Sequence, residues 1–152
     1  LVSHVEKELE SAIDAKAEEC VNQLKEVYQR KGYQTKTGYT GVNVSLGMGK
    51  IAVDVNAQMS LTKETTETYQ KFSFTRDSQL YDLLMFATNI IQFESILGDS
   101  ETTLYMRYYP NLRIDKIRLN SDTVYILTDV VSQESFTFAS RSLVWPSGYT
   151  GK

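Results

Sequence analysis

Hydrophobic and polar residues alternate without a break over residues 51–61. Ile51, Val53, Val55, Ala57, Met59 and Leu61 share one face of an extended chain, and Ala52, Asp54, Asn56, Gln58 and Ser60 share the other. This predicts a strand with one buried and one wet side. Residues 41–46 repeat the pattern with Val42, Val44 and Leu46. The link Gly47-Met48-Gly49-Lys50 reads as a hairpin in which glycine supplies a positive φ. A phosphate loop is rejected there, because it must lead from a strand into a helix N-terminus, and here a strand follows. Residues 33–40 read as a polar connection or an edge strand, 63–67 as a turn and 69–74 as the returning strand, which makes the meander antiparallel.

Two stretches follow the helical period instead. Over residues 1–30, Val2, Val5, Leu9, Ile13, Ala17, Cys20, Leu24 and Val27 recur in steps of three and four. The helix so predicted is about 40 Å long. Its narrow stripe is flanked by Glu6, Lys7, Glu8, Glu10, Glu18, Glu19, Lys25 and Glu26, so it resembles a seam, with Val5, Leu9, Ile13 and Leu24 as the candidate assembly residues. The alternative is a helix lying along its own sheet. Lys31-Gly32 supplies the stop. Over residues 77–97, Leu80, Leu83, Leu84, Ala87, Ile90, Ile91 and Ile96 form a broad stripe, widened by Phe86 and Phe93, with Asp82, Asn89, Gln92 and Glu94 on the polar side. Asp77 or Ser78 is placed to cap this helix, and Gly98 to end it. It is the expected core helix, packed on the apolar face of the sheet.

Residues 104–109 read as an aromatic strand broken by Pro110-Asn111. Leu112, Ile114, Ile117 and Leu119 continue it, with a bulge at Asp115-Lys116 where the alternation slips. Further strands are expected over 124–127 and 135–139, joined by turns at 120–122 and 132–134, and Leu143-Val144-Trp145-Pro146 closes the ordered chain. The fold class so read is α+β: a long N-terminal helix, an antiparallel sheet of about six or seven strands, and a second helix on its apolar face. The domain division is 1–30 as a helix or stalk, 31–146 as the globular part and 147–152 as a frayed tail.

Composition narrows the function. With 41% hydrophobic and 23% charged residues the 152-residue chain is globular in type, and its net charge of -3 argues against nucleic acid as a partner. The single cysteine, Cys20, makes no internal disulfide and builds no zinc site alone; it reads as a small apolar residue on the helix seam. No apolar run of eighteen residues occurs. Because the sequence begins at Leu1, the expectation is a longer gene product whose missing upstream part carries a membrane anchor. The one histidine, His4, lies near that start on an exposed-looking helix, a poor place for a catalytic base, and no spacing gathers metal ligands. No catalytic residue, metal or cofactor is therefore expected, and the chain reads as a non-enzyme.

Tyr105, Arg107, Tyr109 and Arg113, with Met106 and Tyr108 between them, place aromatic and guanidinium groups side by side on what read as adjacent strands. Such groups favour binding surfaces, but more often serve cross-strand pairing on a wet sheet face. Lys116, Arg118, Arg141 and Trp145 extend the same surface. Asn43-Val44-Ser45 is a glycosylation sequon, with Asn43 on the face opposite Val42 and Val44.

Several short segments carry a resemblance to a loosely defined group of archaeal proteins from small-genomed lineages, in which an N-terminal membrane helix precedes an external domain. They are Val5-Glu6-Lys7-Glu8-Leu9-Glu10, Ala17-Glu18-Glu19-Cys20-Val21, Ser60-Leu61-Thr62-Lys63, Phe72-Ser73-Phe74, the element from Leu80 to Leu83, and Phe136-Thr137-Phe138-Ala139. The resemblance implies a membrane-anchored, outward-facing domain and brings no catalytic residues. A long N-terminal helix feeding a one-sided antiparallel sheet also resembles the pilin plan. Three functions are accordingly expected. The first is a non-catalytic cell-surface module acting through a protein partner or self-assembly. The second is a small-molecule or lipid carrier with Met59, Phe74, Leu84, Phe86 and Ile91 around a pocket between helix and sheet. The third is a pilin-like subunit assembling through the first helix.

Overall fold

The structure, a computed structural model, describes residues 1–119 and 122–141, and the fold is α+β. The chain divides into two compact units, Val2–Asp77 and Ser78–Lys152, so the boundary falls between Asp77 and Ser78 and the first helix belongs with the strands that follow it.

The N-terminal unit contains α1 (Val2–Arg30), β1 (Gln34–Gly47), β2 (Lys50–Thr62) and β3 (Thr66–Asp77), the strands forming an antiparallel sheet in the order β1-β2-β3. Helix α1 ends at Arg30, and Gly32 just beyond it turns the chain with a φ of 79°, the left-handed value a β-carbon would disfavour. The strand signal extends through residues 34–40, which were open between connection and edge strand, with a register shift between Tyr39 and Gly41. Gly47 pairs with Lys50 across a two-residue hairpin loop in which Gly49 has φ 70°, as the sequence predicts. The buried residues Ala57, Met59 and Leu61 of β2 meet Val21 of α1, with Leu24, Tyr28, Tyr33, Tyr39, Val55 and Phe72 packed around them.

The C-terminal unit contains α2 (Leu80–Leu97), α3 (Thr102–Tyr108), β4 (Leu112–Leu119), β5 (Asp122–Asp129) and β6 (Ser135–Ser140), the strands again an antiparallel meander. Leu83, Ala87 and Ile90 of α2 pack on Leu112 and Ile114 of β4 and on Tyr125 and Leu127 of β5, with Met106 of α3 and Phe136 and Phe138 of β6 completing the core. Helix α2 ends at Gly98 (φ 81°) as expected, and the Ser78 hydroxyl accepts the Leu80 N–H at 3.2 Å. A cap the sequence does not reveal comes from the β5–β6 turn, where the Glu134 carboxylate accepts the Gln79 N–H.

Five expectations are corrected. The strands do not form one sheet of six or seven; the six described ones form two sheets of three. The helix covering the alternating strand is α1, and α2 covers the second sheet, because each meander is closed by the helix preceding it in the chain. Residues 102–108 form a helix, not a strand: Glu101 accepts the Thr103 N–H at 3.1 Å and caps it, and Pro110 lies just past its end. No bulge interrupts β4, whose residues 112–119 pair with β5 in continuous register. Lys116 takes the inward position there, its ammonium 5.5 Å from the Tyr125 ring centre and bonded to Asp99 and to the Ser100 carbonyl, so Ile117 and Leu119 are left exposed. Finally, Glu94 is only 2% exposed rather than on a polar face, and its carboxylate accepts the Tyr125 hydroxyl. Residues 120–121, and the closing segment with Trp145, lie outside the described residues.

Candidate binding groove

The position of α1 is set by its acids. The Glu6 carboxylate accepts the Leu46 N–H at 2.8 Å, the Glu10 carboxylate accepts the Val44 N–H at 2.9 Å, and the Asp14 carboxylate accepts the Tyr39 hydroxyl at 2.6 Å. Residues four apart on a helix rise about 6 Å, and residues two apart on a strand about 6.7 Å, so a carboxylate every fourth residue matches an outward N–H every second residue. Glu6 and Glu10 thereby satisfy two N–H groups on the edge of β1 that β2 leaves open, while Asp14 holds the Tyr39 hydroxyl. Burial, and then the hydrogen bond to Asp14, push the Tyr39 hydroxyl pKa up to about 12.

The consequence is a helix lying over the edge strand instead of over the middle of the sheet. The inner side of β3 stays largely exposed while β2 is buried at Val53, Ala57, Met59 and Leu61, and between α1, the first half of β2 and β3 runs a groove of about 760 Å³. Leu9, Ile13, Ala17 and Leu24 form one wall, Ile51, Val53 and Val55 the floor, and Phe72, Phe74 and Arg76 the far side. Phe74 is 56% exposed although it occupies an inward position opposite the buried Val53. Among the described residues two cations, Lys16 and Arg76, line the groove, and no acidic residue does. Lys16 is held by Glu19 at 2.6 Å, which keeps the Glu19 carboxyl below its ordinary pKa. Cys20, exposed, stands on the helix wall.

The seam residues therefore face their own sheet. Leu9, Ile13 and Leu24 line the groove, Leu24 also packs on the core, and Val5 is half-buried. Asn43 is exposed opposite Val42 and Val44 as expected, with its side-chain oxygen bonded by the Asn56 amide at 2.6 Å. The residues expected around a single pocket are divided between the units, Met59 and Phe74 in the first and Leu84, Phe86 and Ile91 in the second. Of these only Phe74 lines the groove.

The four residues proposed as an interaction surface do not share one strand pair. Tyr105 and Arg107 are on α3, Tyr109 follows its end, and Arg113 is on β4, paired with Asp115 at 3.0 Å. Tyr105 and Tyr109 both meet the Phe86 ring edge to face, at 6.2 and 4.7 Å between centres, and line a shallow cleft of about 500 Å³ with Phe93, Leu104 and Tyr108. Arg107 and Arg113 do not line it. Arg76 escaped the sequence reading, and the signal for it was available, since it continues the same-face series Phe72, Phe74 by one more step of two.

No protein-family model, curated protein or solved structure matches the chain. No described helix is long and apolar enough to cross a membrane.

Proposed function

We propose that the protein is a non-catalytic binding module whose working surface is the apolar groove of its N-terminal unit. The single observation carrying this reading is the groove between α1, the first half of β2 and the exposed inner side of β3, lined almost wholly by aliphatic and aromatic side chains. Its volume lies in the range of ligand sites, and apolar area of this kind binds by release of water. The membrane-anchored, outward-facing setting implied by the resemblance belongs to the same proposal. A second reading, contact with a protein partner, is favoured by the aromatic cleft of Phe93, Leu104, Tyr105, Tyr108 and Tyr109, because exposed apolar clusters rimmed by polar groups suit protein contacts.

Cys20 provides the test. It is the chain's one cysteine and stands in the groove wall, so an occupied groove shields its thiol. Iodoacetamide labelling of Cys20 is expected to slow on addition of oleyl alcohol, a long-chain neutral probe. An unchanged rate at saturating probe would remove the groove from consideration.

A further inference from the structure

We infer that the groove takes a free single-chain amphipath with an anionic head, a fatty-acid carboxylate, with its chain along β2 and its head on the Arg76 guanidinium; this rests on the reading of the groove as a binding site. Leu46, Ile51 and Arg76 form one row across the sheet, and Glu6 of α1 is bonded to Leu46, so Arg76 stands at the end of the groove nearest the start of α1. Among the described residues Arg76 has no ion-pair or side-chain hydrogen-bond partner. The other cation of the groove, Lys16, is already held by Glu19.

An unpaired guanidinium at one end of an apolar channel matches an amphipath with an anion at one end. Two parallel N–H donors fit a carboxylate, and such charge-assisted pairs are stronger than neutral ones. Ile51, Val53 and Val55 lay an apolar floor about 13 Å long at the rise of a strand, close to the roughly 15 Å of hydrocarbon in one bilayer leaflet. Among the described residues no carboxylate lines the groove to repel the head.

The experiment follows displacement of the uncharged fluorophore N-phenyl-1-naphthylamine from the full chain by oleate and by oleyl alcohol, in the native protein and in Arg76→Gln. Arg76 is exposed, so the replacement leaves the sheet intact, and an unaltered affinity for oleyl alcohol verifies that. Oleate is expected to displace the fluorophore about tenfold more tightly than oleyl alcohol, and Arg76→Gln to bring the two together. Equal affinities in the native protein, unmoved by Arg76→Gln, would overturn the anionic class while leaving the groove a binding site. Failure of the fluorophore and of both competitors to bind would overturn the groove itself. Sedimentation with phosphatidylglycerol vesicles that is lost in Arg76→Gln, without displacement by oleate, would place the anion on a membrane and overturn the free fatty acid.

Discussion

Both units place helix before a three-stranded antiparallel meander with an apolar inner face, one helix in the N-terminal unit and two in the C-terminal unit, and they end differently covered. In the C-terminal unit α2 packs across β5 and β6 while α3 sets Met106 against β4, whose Ile114 N–H reaches the Met106 sulfur at 3.4 Å. Two helices serve three strands, and Tyr125 and Leu127 of the central strand are fully buried. In the N-terminal unit one helix serves three strands and is drawn to the edge by Glu6, Glu10 and Asp14, so the inward Phe74 remains largely exposed. Alternation fixes which face a side chain takes, and the helices that follow or precede the strands fix whether that face is buried.

The largest effect should therefore separate inward residues of the two sheets. Leu127→Ala is expected to destabilise the C-terminal unit by about 2–5 kcal/mol, whereas Phe74→Ala, at a comparable inward position, should destabilise the N-terminal unit by only about 1 kcal/mol. Hydrogen exchange resolved by unit in urea reads both. A large loss in Phe74→Ala would mean that the face is covered after all. Tyr125→Phe is next, expected to cost about 1–3 kcal/mol because it removes a donor from the buried Glu94 carboxylate.

A smaller effect belongs to the helix position. Glu10→Ala should cost about 1 kcal/mol by leaving the part-buried Val44 N–H without its acceptor, and should raise self-association through the β1 edge, measured by sedimentation velocity. The smallest concerns pH. The hydrogen bond from Lys116 holds the Asp99 carboxyl below its ordinary pKa. A carboxyl lower in the folded than in the unfolded state contributes stability above its unfolded pKa, near about 4, and loses it as pH falls through the folded value. The C-terminal unit of Lys116→Met should accordingly show a weaker loss of stability below about pH 4 than the native unit, seen by circular dichroism on acid titration.

Much of this was readable in the sequence, and where the reading failed the causes are particular. The strand over residues 51–61 and the first helix were legible because a period of two or of 3.6 ran uninterrupted for ten residues or more. Helix α3 was not, because seven residues rich in threonine and tyrosine carry strand propensity, and only the Glu101 cap and the recurrence of Leu104 and Tyr108 four apart betrayed it. Lys116 and Glu94 broke the pattern by putting charge in inward positions, and their partners, Asp99, Ser100 and Tyr125, lie 16 to 31 residues away. The groove was hidden for a related reason: its lining residues were mostly recognised as apolar, but the edge-capping role of Glu6 and Glu10 that uncovers them depends on the strand lying 34 to 40 residues downstream.

The central claim, that the apolar groove between α1 and the β3 side of the N-terminal sheet is where this protein binds, is tested most directly by methyl NMR during titration with oleyl alcohol. The account predicts shifts in the methyls of Ile13, Leu24, Val53 and Val55, with those of Leu83, Ile90 and Leu127 unmoved. Saturating probe that leaves the groove methyls in place, or that moves the C-terminal core instead, would contradict it.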